Sequence, residues 1–139
     1  MARAATAGLA YFATVFAIAF VLGVLRVSFV APRVGDLAAV MIEIPFLLTA
    51  SWIICARMVA RFGVPALPGP RIVMGLVAFT VLIIAETLLG LAIGRSLDSQ
   101  IAAYGVPAAW VGLAGQFLFG CVPVMQLASI AGPRKQGVN

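Results

Sequence analysis

The sequence predicts an all-α fold: an integral membrane bundle of four transmembrane helices with both termini in the cytoplasm. Three observations carry this. The 139 residues are 64% hydrophobic and only 9% charged, with a mean hydropathy of +1.18, too few charges to cover a soluble surface. The apolar residues fall into four runs of about 20, the length a ~30 Å hydrocarbon core requires. The basic residues are divided unequally between the connections, as the positive-inside rule asks.

The spans are residues 8–29, 37–59, 72–93 and 107–130, within one domain covering residues 1–139. Arg3 precedes the first span. A cleaved signal peptide is the rival for this segment, but the run is too long for an h-region and no small-residue cleavage site follows it. The first connection, APRVGD, reads as a tight turn in which Asp36 can cap the second helix. Between spans two and three, RFGVPALPGPR cannot continue a helix and ends in Arg71, an expected cytoplasmic anchor. The third connection places Leu97, Ile101 and Tyr104 at helical spacing, which permits a short interfacial helix.

Arg3, Arg57, Arg61, Arg71, Arg134 and Lys135 lie on one side of this plan. The other side holds Arg26, Arg33 and Arg95, offset by Asp36 and Asp98. The expected address is therefore a bacterial cytoplasmic (inner) membrane, N-in and C-in. The net charge of +5 reads as topology signal and headgroup contact, and nucleic acid is not an expected partner because the basic residues lack aromatic interleaving.

Inside the spans, Arg26, Glu43 and Glu86 are expensive. A charge near the bilayer centre costs roughly 2.5 to 3.5 kcal/mol on insertion scales, so these residues point to a polar site or to mutual pairing. At a rise of ~1.5 Å per residue, Glu43 lies about 10 Å and Glu86 about 12 Å below the outer boundary. Arg26 falls about 5 Å deep and Gln116 about 14 Å. Each helix thus supplies one strongly polar group to the outer half.

Face arithmetic joins two of them. Gly75, Ala78, Leu82, Glu86, Gly90 and Gly94 share one stripe of the third helix, and Gly112, Gln116 and Gly120 recur every four residues in the fourth, so Glu86 and Gln116 are expected to face each other between small residues. Pro45 removes a donor near Glu43, freeing the carbonyl of Met41. Pro123 does the same for Phe119.

The inventory excludes a good deal. With no histidine, histidine-ligated haem, histidine-containing zinc sites and a Ser/His/Asp triad are outside this chain's means, and no metal or cofactor is expected. Cys55 and Cys121 lack CxxC spacing and read as free thiols packed as small hydrophobes. Trp52, Trp110, Tyr11 and Tyr104 read as packing or interfacial residues.

The size and four-span plan resemble the small multidrug resistance transporters, which work as dimers with a membrane glutamate in the first helix. This chain has Arg26 in that helix and its acids in the second and third, so the resemblance covers architecture and carries over no site.

One arginine cannot neutralise two glutamates, and a proton, a ligand or a partner chain must answer the second. The expected function is binding or transport of a small amphipathic molecule, lipid headgroup or cation, with proton coupling through Glu43 and Glu86 and Arg26 steering an anionic group. Membrane lipids, such a ligand and a homodimer or larger membrane complex are the expected partners. The alternatives are a membrane-embedded enzyme using carboxylate acid/base chemistry on a lipid-linked substrate, and an accessory subunit whose buried charges are structural.

Overall fold

The computed structural model describes residues 1–130, and among these it is all helical. The basic residues Arg134 and Lys135 lie outside the described residues. The elements are α1 (Ala2–Leu25), a π-helical segment (Arg26–Val30), α2 (Ala31–Val34), α3 (Asp36–Phe62), α4 (Pro68–Ala92), α5 (Leu97–Ala102), a 3₁₀ turn (Ala103–Gly105) and α6 (Pro107–Ile130). Four helices are long and apolar enough to cross a membrane; α1, the π segment and α2 form the first, a continuous rod of 33 residues.

That rod differs from the expected first span, and Pro32 explains how. Proline lacks the N–H its helical partner Ser28 would receive, and its ring would strike that carbonyl. The chain inserts a π turn just upstream, in which the Ala31 N–H donates to Arg26 O, five residues back. The helix then runs through Pro32 to Val34. The expected APRVGD turn shrinks to Gly35, whose φ of 83° and ψ of 160° reverse the chain in a region open only to glycine. Asp36 is the first residue of α3 and makes no side-chain cap, so it acts on the helix through its charge at the positive end of the dipole.

The second connection is also shorter than expected. Gly63 and Val64 close α3, their N–H groups donating to Ala60 O and Val59 O, and buried Val64 tucks the chain inward. Helix α4 then begins at Pro68, inside the expected loop, because proline suits a first helical turn whose N–H groups have no intrahelical acceptor. At its other end Gly94, with φ 86°, stops the helix, with Arg95 N–H donating to Gly90 O. Gly94 is thus a terminator and, unlike the rest of its expected stripe, packs against nothing. Ser96 caps α5, its Oγ accepting from Ser99 N–H at 3.2 Å.

The long helices form a four-cornered ring. α1 packs against α3 and α4, and α6 packs against the same two. Consecutive α3 and α4 therefore stand at opposite corners, as do α1 and α6. One side chain spans that second diagonal: Tyr11 of α1 donates its hydroxyl to Phe119 O of α6 at 3.0 Å and stacks on the Phe119 ring at 4.5 Å between centroids.

The core occupies one half of the ring. Ala4, Ala7, Tyr11 and Val15 of α1 meet Ile54 and Cys55 of α3, Met74, Ala78 and Leu82 of α4, and Phe119 and Val122 of α6. They run from the end that holds the start of α1 and the α3–α4 loop, the near end, to mid-depth at Leu82 and Phe119. Toward the far end, which holds Gly35 and α5, Ala39 and Gly90 are the buried residues of the long helices. Small residues produce the near-half contact. A Cβ on Gly75 would collide with Gly120 O, and one on Gly8 would meet Met74 O at 2.6 Å. Gly120 itself packs on Phe79 Cβ.

Gly112 has nothing within 4 Å of where a Cβ would stand, so it plays no part in helix packing. Gly90 packs, but on the Gln100 side chain of α5, 2.7 Å from its absent Cβ, and Gln100 Nε2 donates to Thr87 O at 3.4 Å. Gly75→Ala is expected to lose about 1–3 kcal/mol by forcing α4 and α6 apart. Gly112→Ala should be neutral or stabilise by up to about 1 kcal/mol through helix propensity. Reversible unfolding in mixed micelles measures both.

Candidate functional site

Arg26 and Glu43 meet. The Arg26 Nε lies 2.6 Å from Glu43 Oε2, with the two side chains 28% and 12% exposed. The contact is one of charge rather than of direction, since Nε is buried without a hydrogen-bond acceptor along its N–H. The longer first helix accounts for the meeting. Arg26 is eight residues before the end at Val34, or about 12 Å, and Glu43 is seven residues into α3, or about 10 Å, so the two share a level. A turn at APRVGD would have left Arg26 about 5 Å deep, well above its partner. The π segment begins at Arg26 itself, so the irregularity that carries the helix past Pro32 also sets where the guanidinium emerges.

Glu86 and Gln116 meet on the opposite side of the ring. Gln116 Nε2 donates to Glu86 Oε2 at 2.5 Å, across the seam between α4 and α6. Helical side chains lean toward their own N-terminus. Since α4 and α6 run in opposite directions, Glu86 and Gln116 lean toward one another from different levels. Gln116 Oε1 is buried with no partner among the described residues, whereas Glu86 is exposed.

The four polar residues therefore form two pairs on two helix seams, α1–α3 and α4–α6. Glu43 has an arginine. Glu86 has only an amide, and Arg26–Glu43 is the one ion pair among the described residues. Pro45 sits within an unbroken α3, one turn from Thr49, whose hydroxyl donates to Pro45 O at 2.7 Å. No cluster of three or more potential metal ligands exists among the described residues. Both cysteines are free, Cys55 buried and Cys121 half-buried.

On the outer face of α4 and α6, Phe79, Trp110, Leu113, Ala114 and Phe117 line an apolar groove of about 340 Å³. Phe79 and Phe117 also line a second, of about 210 Å³, that continues toward Ile72 and Val124. Stepping along α4 by threes and fours from Ile72 through Leu76, Phe79 and Ile83 reaches Glu86, so the carboxylate stands at the far end of the apolar stripe.

The near half holds polar residues that motif reasoning passed over. Arg71 is 3% exposed, Ser51 1% and Gln126 5%, all among the core side chains. Gln126 Nε2 donates to Trp52 O at 2.6 Å, and Ser51 lies beside the Tyr11 hydroxyl. Arg71 corrects an expectation, since it is no exposed anchor. The signal was present: one turn back from Gly75, the stripe Gly75, Ala78, Leu82, Glu86 begins with Arg71.

No family model, curated protein or solved structure matches the chain.

If Arg26 and Glu43 answer each other, removing one leaves the other buried and unpaired, and removing both relieves the loss. Arg26→Met and Glu43→Gln should each destabilise, and a double-mutant cycle should return a coupling of about 1 kcal/mol or more. The cycle of Arg26→Met with Glu86→Gln should be additive within about 0.5 kcal/mol.

Proposed function

We propose that the protein binds, and carries across the membrane, a small amphipathic molecule bearing a protonated amine. The observation that carries this is the unequal treatment of the two acids: Glu43 is engaged by Arg26, whereas exposed Glu86 is met only by the Gln116 amide. Beside it, Gln116 Oε1 is a buried acceptor with no donor among the described residues. An ammonium with at least two N–H groups serves both, one to the carboxylate and one to the amide oxygen. The apolar stripe running from Glu86 toward Ile72 suits the rest of an amphipathic ligand.

On this proposal Glu86 exchanges a proton for the ligand's ammonium, which couples occupancy to protons. Arg26 and Glu43 hold α1 against α3 and leave the site on α4 and α6 free to bind. On this proposal the near end faces the cytoplasm across a bacterial inner membrane, which the arginine bias favours, and Glu86 is reached from the outer half. The exposed apolar face of α4 and α6 also suits a second copy, which would enclose the site. The enzymatic alternative asks for an acid and a base on one substrate, and two acids on opposite seams, one of them engaged, do not favour it.

The test uses purified protein in detergent and an alkylammonium with free N–H groups, compared with its trimethylated counterpart. The N–H form should bind more tightly, and Glu86→Gln should weaken it about tenfold or more while leaving thermal stability nearly unchanged. Acidification should weaken binding, because a protonated Glu86 has no charge to offer. Equal binding by Glu86→Gln, or binding lost instead in a stable Glu43→Gln protein, contradicts the proposal.

A further inference from the structure

Arg71 is the one strongly charged side chain that the near-half core encloses. It lies in the first turn of α4 at 3% exposure, its Nε donates to Pro65 O at a long 3.4 Å, and its Nη1 is buried with no partner among the described residues. A guanidinium stays charged in any protein environment, so loss of a proton cannot relieve it. An enclosed, uncompensated charge of this kind is among the costliest features a core can hold.

The chain's own acids cannot serve it. They are Asp36, Glu43, Glu86 and Asp98, and all four belong to the far half. Glu86 is on the same stripe as Arg71, but 15 residues along the helix, about 22 Å away. What surrounds Arg71 is positive or neutral. Arg3 approaches the same loop, its Nη1 3.9 Å from where a Cβ on Gly63 would stand. Loop 63–67 is thus approached by two guanidiniums, with its own Val64 buried and its Pro65 supplying a weak acceptor to one of them.

We infer that Arg71 and Arg3 form a binding site for a phosphate group at the near end of the bundle, under the α3–α4 loop. A guanidinium presents parallel N–H donors matched to two oxygens of one phosphate, and the orphan Nη1 of Arg71 with its neighbour Nη2 is such an end-on fork. The long Nε contact to Pro65 O holds the guanidinium while the fork takes the incoming oxygens, and Arg3, at the Gly63 end of the same loop, closes on the phosphate. The phosphate arrives either as the diester of an anionic lipid or as the free ion. This site is independent of Glu86, which lies in the other half of the ring.

The test takes the full chain in non-ionic detergent and adds phosphatidylglycerol or inorganic phosphate, reading thermal stability and, for the lipid, discrete adducts by native mass spectrometry. At least one probe should stabilise the wild type. Arg71→Lys, which keeps the charge and loses the fork, should weaken the effect about tenfold, and Arg71→Met should abolish it. Arg57→Gln, on exposed α3 surface, should leave it unchanged. A response to phosphatidylglycerol alone assigns the site to lipid; a response to inorganic phosphate assigns it to the free ion. Should Arg71→Met fail to fold, Arg3→Gln, exposed in the wild type, is expected to weaken binding in its place. The inference is overturned if neither probe stabilises the wild type, if the folded arginine variants respond as it does, or if Arg57→Gln loses as much as Arg71→Lys.

Discussion

Tyr11 holds the structure together at the place where its two non-adjacent helices have no backbone contact. α1 and α6 stand at opposite corners of the ring, and the stacked Tyr11 and Phe119 rings, with the hydroxyl on the Phe119 carbonyl, fill the space between them. Around this diagonal, Gly8 lets α1 approach α4 and Gly75 lets α4 approach α6, so the near half is packed by shape. Lipid tails are as apolar as the side chains themselves, and close packing of this kind is what drives helices together in a membrane. The far half has fewer such contacts. There the helices are held by polar pairs at their seams, by Ile44 of α3 packed on Gly115 of α6, and by the Gln100 side chain seated on Gly90.

This division gives each polar group a different meaning. In a hydrocarbon environment every donor and acceptor must be answered from within the bundle or by something that enters it. Glu43 and Arg26 answer one another. Tyr11 and Gln126 are answered by the main chain of α6 and α3. Among the described residues three buried side-chain atoms remain without a hydrogen-bond partner: Arg26 Nε, which has its charge partner close by, Gln116 Oε1 in the far half, and Arg71 Nη1 in the near half. The last two carry the proposals made here, a donor-rich cation beside Glu86 and an anion beside Arg71. Their opposite demands fit their opposite ends.

Much of the helical plan was legible in the sequence, because four apolar runs and their glycine and proline punctuation are strong local signals. The start of α6 at Pro107 and the short helix from Leu97 follow from such signals directly. Pro32 was not legible as a helical residue. Proline normally marks an end, and only the π turn before it, a feature with no sequence period of its own, lets the helix continue. That one error displaced Arg26 by about 7 Å in expected depth. The contact of Glu86 with Gln116 could be read from face arithmetic. The partner of Arg26 could not, since it depends on which corners of the ring adjoin. The burial of Arg71 could be read only from the stripe it shares with Gly75, Ala78 and Leu82, because a positive residue at a span boundary otherwise looks like an anchor.

On the proposed reading the two acids differ, Glu43 committed to an arginine and Glu86 free to take a ligand. Isotope-edited infrared difference spectroscopy on glutamate-labelled protein tests it at the carboxylates themselves. Addition of an alkylammonium with free N–H groups should perturb a carboxylate band that persists in Glu43→Gln and is missing in Glu86→Gln. A ligand-induced band that vanishes in Glu43→Gln and survives in Glu86→Gln would contradict the account.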